Sequence, residues 1–196
     1  MATSSSVRTR NRGRSGEASA RPSGAVVLTG AVGGAIASLV MAMYAMVASA
    51  TYQHRGFFTP LYHIASTFIA STQLMASMQH AMMGSTFYFA GGPAVIGAAI
   101  HMMTGAMYGV VFAVAVHKLR LHGAIMLGAA VVWGAIVFAV SSWITLPLAA
   151  NVFNSGDQIT HMAKMVGYPT FLIEHLMFGL ALGALLLARP ASRADR

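Results

Sequence analysis

The sequence predicts an all-α membrane protein: four transmembrane helices built from two parallel two-helix repeats, with an external amphipathic helix. Three observations predict it. Hydrophobic residues make up 57% of the 196-residue chain and charged residues only 8%, where a soluble domain carries roughly 25% charged residues. So few charges cannot cover a water-facing surface, and the mean hydropathy is +0.67. Four apolar stretches, 25–50, 93–117, 123–148 and 169–188, are each long enough for the about 20 residues that a helix needs to cross a bilayer. Charge then clusters beside those stretches rather than within them.

Residues 1–24 are rich in Ser, Arg and Gly and nearly devoid of apolar side chains. They cannot bury enough surface to fold and read as a disordered basic tail. Arg8, Arg10, Arg12, Arg14 and Arg21 orient the first span and are candidates for contact with anionic headgroups. The first apolar run ends in Ala48-Ser49-Ala50, which resembles a signal-peptidase site. The run far exceeds a signal core of about 7–15 residues, so it is read as a retained span. Segment 60–84 opens at Pro60 and closes near Gly84. Leu61, Ile64, Phe68, Met75, Met78 and Met82 recur at helical spacing, opposite His63, Ser66, Thr67, Ser71, Gln73 and Ser77. It reads as an amphipathic helix lying on the membrane or tucked against the bundle. Residues 189–196 form a second short tail.

Charge placement chooses four spans over five. With four, the N-terminal arginines, Lys118, Arg120, Arg189, Arg193 and Arg196 share the cytoplasmic side, leaving Arg55 and Lys164 outside. A fifth span across 60–84 would move Lys118, Arg120 and the C-terminal arginines out, against the positive-inside bias. Both termini are therefore expected in the cytoplasm. The net charge of +8 follows this topogenic pattern and does not point to nucleic acid. The expected partners are the lipid bilayer and, as candidates, another membrane protein or a second copy of the chain.

The two halves of the membrane domain, 25–188, look alike. His101-Met102-Met103-Thr104-Gly105-Ala106-Met107-Tyr108-Gly109 matches His175-Leu176-Met177-Phe178-Gly179-Leu180-Ala181-Leu182-Gly183 as H-x-x-x-G-x-x-x-G. Leu28-Thr29-Gly30-Ala31 upstream matches Leu121-His122-Gly123-Ala124. Each half is a span, a Pro-Leu, an external connection and a span with the His/Gly stripe, so the repeats are parallel. Gly97, Gly105 and Gly109, Gly179 and Gly183, and Gly30 and Gly34 form small-residue stripes that let helices approach closely.

Gly123 to Gly134, Leu146-Pro147-Leu148, and Ile173-Glu174-His175-Leu176 with Gly179 resemble the small four-span bacterial inner-membrane proteins of the YagU type. The resemblance covers mainly the C-terminal half. It implies placement in a bacterial inner membrane and no defined chemistry.

Three ionisable residues fall inside spans and are functional candidates because charge is costly there: His101, His175 and Glu174. His101 lies roughly 12 Å along its helix from Pro93 and His175 about 9 Å from Pro169, so the two should share a depth and face inward. They could fix helix packing by hydrogen bonding, bind haem b or a metal, or line a path for a proton or solute. Glu174 points about 100° away from His175 around the helix. His101, Lys164 and Arg55 are its candidate partners, and the outer interface is the alternative. Outside the spans, Met75, Met78, His80, Met82 and Met83 form one sulfur-rich cluster, and His161, Met162 and Met165 another. Thioether with imidazole suits copper(I), but methionine also fills apolar gaps.

No cysteine is present, which excludes disulfides, thiolate metal sites and cysteine nucleophiles. Four acidic residues in all leave little for acid–base catalysis. The leading functional reading is a non-enzymatic structural or accessory membrane protein. The alternatives are a haem- or copper-binding protein and a small permease with a path past His101, His175 and Glu174.

Overall fold

A computed structural model describes residues 24–188. The two tails read from the sequence, apart from Gly24 at the inner end of the first, lie outside the described residues. The described chain contains helices and no strands: α1 Gly24–Ala50, α2 Thr59–Ala65, α3 Thr72–Met82, α4 Gly91–Leu119, α5 Gly123–Val140, α6 Leu146–Phe153, α7 Asp157–Thr160, α8 Met162–Val166 and α9 Tyr168–Leu187. A five-residue π-turn, Ser141–Thr145, joins α5 to α6. Four continuous helices are long and apolar enough to cross a membrane: α1, α4, α5 with its extension through α6, and α9.

The third span is longer than its sequence reading. It passes Leu146-Pro147 and runs to Phe153. Pro147 has no N–H to donate, and its ring would clash with the carbonyl one turn back. The π-turn widens the helix just before it, with the Leu146 N–H reaching back to the Ser141 carbonyl. The helix continues rather than breaking.

The four spans pair as two antiparallel hairpins, and glycine decides the register of both. A methyl group on Gly34 would stand 2.1 Å from the Gly105 carbonyl oxygen, and one on Gly109 2.2 Å from that of Gly30. In the second hairpin the same construction on Gly134 gives 2.2 Å to the His175 carbonyl, and on Gly179 2.2 Å to that of Ala130. Backbone lies against backbone in each case, which only a bare Cα permits. Gly105 stands between Gly34 and Ser38, and Gly179 between Ala130 and Gly134. The hairpins therefore correspond one helical turn further along α5 than the Leu-x-Gly-Ala alignment of the two halves implies.

The relation between the hairpins is lopsided. α1 packs closely along α9, with Gly33 against Leu182 and Leu186. The equivalent pair, α4 and α5, scarcely meets along its backbones. Long side chains bridge this seam instead. Tyr108 and Phe112 of α4 contact Trp133 of α5 at ring separations of 6.4 and 6.0 Å, and Tyr108 Oη lies 3.1 Å from Thr145 Oγ1. The main core is Ala37, Met41, Phe112, Ala130, Val137, Phe178 and Leu182, drawn from all four spans.

Both long connections lie on one end of the bundle and form a cap. Segment 60–84 is two helices, α2 and α3, broken over 66–71, rather than one. Unlike a surface-lying helix with its polar face in water, it buries polar and apolar side chains together, Leu61 and Leu74 among them. His63, Ser66 and Ser77 are buried, while Phe68, Met75 and Met82 are exposed. The polar side chains point inward because partners await them there. Thr59 Oγ1 bonds Ser77 Oγ at 2.8 Å, and Ser66 Oγ donates to the His63 carbonyl. The two connections are stitched together by Ser155 to Thr67, Gln53 to Val166 and Arg55 to Met165, each side chain donating to a backbone carbonyl. Exposed Tyr52, Phe87, Phe89, Trp143 and Tyr168 belong to the cap or to the ends of the spans beside it, as aromatic residues do at a membrane–water interface.

Candidate functional site: a cavity between the hairpins

Where α4 and α5 stand apart, the bundle holds a partly open cavity of about 290 Å³. It runs from the underside of the cap to the middle of the spans. His101 and Tyr108 of α4, Ser38 of α1, Ser141 of the π-turn, and Glu174 and His175 of α9 supply polar groups to a wall that is otherwise mostly apolar. The π-turn shapes it, since Ser141 and Thr145 reach the wall from within the widened segment. At this size it falls near the small end of ligand pockets.

His101 and His175 both line this space. Each ring spends one nitrogen on a carbonyl. His101 Nε2 donates to the Ser38 carbonyl at 3.0 Å, across the first hairpin. His175 Nδ1 donates to the Phe171 carbonyl at 2.7 Å, one turn back in its own helix. A carbonyl accepts only, so these bonds fix both tautomers. They leave Nδ1 of His101 and Nε2 of His175 as lone pairs. The two repeats thus use the same residue in the same place with opposite ring nitrogens.

Glu174 is 5% exposed. Among the described residues its carboxyl makes no hydrogen bond and no ion pair within 4 Å. None of the partners considered from sequence holds it. Arg55 donates 2.6 Å to the Met165 carbonyl in the cap, His101 is committed to Ser38, and Lys164 is exposed on α8. The carboxyl does not reach the outer interface either. The helical turn between Glu174 and its neighbour His175 is taken up by the cavity wrapping around that face of α9, so both line it.

The sulfur-rich clusters are dispersed. Met78 packs in an apolar cluster with Tyr62 and Leu74, and Met162 in another with Ala150 and Ile159. Met75, Met82 and Met83 are exposed, and Met165 is half-buried on α8. The His80 ring stacks on Tyr88 at 4.6 Å, while His161 Nδ1 lies 3.9 Å from Asp157 Oδ1 on the surface. No group of three or more His, Asp or Glu among the described residues is placed to hold a metal ion. Gly97 also proves distinct from the hairpin glycines: it seats α2, with Leu61 backbone against it.

Sequence reasoning missed the cap's part in the site. His63 is buried with Nε2 donating 2.7 Å to the Gln158 carbonyl, and it lines the cap end of the cavity with Arg55. Burial pushes its pKa down to about 4, with the nearby Arg55 charge adding to the effect. Burial likewise lowers the Arg55 pKa. The periodicity of 60–84 placed His63 on a polar face but not against the spans; only the folding back of 51–90 brings it and Arg55 to the site.

Searches against protein families, curated proteins and solved structures find no match for this chain.

Proposed function

We propose that this chain is a small permease or solute-binding protein of a bacterial inner membrane, with both termini cytoplasmic and the cap outside. One observation carries the functional part: a partly open cavity between the spans that is lined by a buried carboxyl and two histidines with a free nitrogen each. A bundle whose histidines served packing alone would close over them with apolar side chains. Here the histidine bonds to backbone do help packing, and the rings still face open space. The distribution of Lys and Arg supports the orientation, and the likeness of the second half to YagU-type proteins supports the compartment.

The test is ligand-dependent stabilisation. A solute that binds the folded state raises its melting temperature. Screening small amphiphiles against the protein in lipid nanodiscs should find compounds that do so. Thr104→Trp, which fills the cavity wall, should abolish their effect. A screen without hits, or hits that survive Thr104→Trp, returns the histidines to a packing role.

A second reading has one observation in its favour. His175, held through Nδ1–H to a backbone carbonyl with Nε2 free, has the arrangement typical of a metal-ligating histidine. It fits one axial ligand of haem b or a ligand to copper. His101 fits less well as the second ligand, since its free nitrogen is the one beside its own Cβ. A visible spectrum and metal analysis of the purified protein decide this reading: no Soret band and no copper dispose of it.

A further inference from the structure

The cavity has a chemical preference that follows from how its polar groups are already committed. The two imidazoles each donate to a backbone carbonyl, that of Ser38 and that of Phe171. Arg55 is turned to the Met165 carbonyl at the cap. Glu174 has neither a counter-charge nor a hydrogen-bond donor among the described residues, though it is buried. A lone carboxyl at such a position is costly to charge within a membrane. A cationic group brought in by a ligand would supply what the protein does not.

The rest of the wall says what that ligand carries besides its charge. Phe171 and Phe178 flank Glu174 on α9, and Met41, Ile100 and Val137 face them from the other spans. Aromatic faces also favour a cation. The approach is lateral. The open α4–α5 seam runs the length of the spans, closed by side chains only: Trp133 against Phe112, Tyr108 against Thr145, and, at the cap, the Phe68 ring 4.4 Å from that of Phe153. Phe68 and Phe153 are half exposed on the outside of the bundle. Its pseudo-equivalent, the α1–α9 seam, is shut by close packing of the helices themselves.

Resting on the solute-binding reading above, we propose that the cavity takes a lipophilic amine, which enters from the bilayer between α4 and α5 and pairs its ammonium group with Glu174. Its apolar body lies against Phe171, Phe178 and Met41.

The experiment compares three probes of one shape: phenylbutylamine, phenylbutanol and phenylbutyric acid. Binding of each is measured by equilibrium dialysis against the full-length protein in nanodiscs, with empty nanodiscs subtracted. The amine should bind about tenfold more tightly than the alcohol, the difference a charge-assisted bond supplies, and the acid most weakly. Glu174→Gln should bring the amine down to the alcohol's affinity. Equal affinity of amine and alcohol for the unmodified protein overturns the proposal while leaving the cavity a solute site. Preference for the acid overturns it too and makes Arg55 the anchor. If none of the three binds, the solute-binding reading itself falls, and the amine with it.

Discussion

His63 shows how much one side chain in the cap controls. Its ring is neutral in the closed structure because burial lowers its pKa from 6.5 to about 4. Above pH 6.5 the ring is neutral whether the cap is closed or open, and the contribution of His63 is constant. Between 6.5 and about 4 the open form takes up the proton first, so the closed cap loses stability as pH falls. The loss is on the order of 3 kcal/mol when complete. We therefore expect the melting temperature in nanodiscs to fall between pH 7 and pH 4, and His63→Gln to remove part of that fall. An identical slope in the variant would mean that other groups carry the acid sensitivity. Glu174 stands at the same scale as a residue whose identity was legible in the sequence, as an acid within an apolar run, and whose role was not. Whether such a carboxyl pairs, snorkels or waits for a ligand depends on the groups that folding places around it.

Among elements, the hairpins rest on close backbone contact. At Gly34 and Gly179 an added methyl group meets a carbonyl oxygen at 2.1 and 2.2 Å, and backbone has no flexible end to give way. Gly34→Ala and Gly179→Ala should each cost about 1–3 kcal/mol through helix displacement and lower the melting temperature by several degrees. Gly128, in the same kind of helix, has nothing within 4 Å of the position, and Gly128→Ala should leave it unchanged or slightly raised. Equal effects at all three positions would remove the glycines from the account of packing. The stripes themselves were readable, because small residues four apart mark one face. Their true register along α5 was not, because Ala130 can replace glycine where it offers backbone to Gly179. The π-turn also escaped: Pro147 announces a disturbance but does not say whether the helix ends or widens.

For the whole molecule, even-numbered crossing puts both termini on one side and both connections on the other. The cap observed over one end agrees with that count, since 51–90 and 154–167 are joined by direct hydrogen bonds. The charge distribution then predicts which side is which. Reporter fusions at both termini should report the cytoplasm, and one inserted near Gly84, at the turn after α3, should report the exterior. Termini on opposite sides would require a different number of crossings. By itself the sequence determined the number of spans, their approximate limits and the faces on which they pack, because hydropathy and small-residue spacing are local properties written along one helix. Only the tertiary structure decided that the cap buries His63, Ser66 and Ser77, that the α1–α9 seam closes by helix packing while side chains alone bridge the α4–α5 seam, and that Glu174 is left without a partner at the resulting cavity. Those facts depend on which surfaces meet across a hundred residues of chain, and no periodicity within a single segment encodes them.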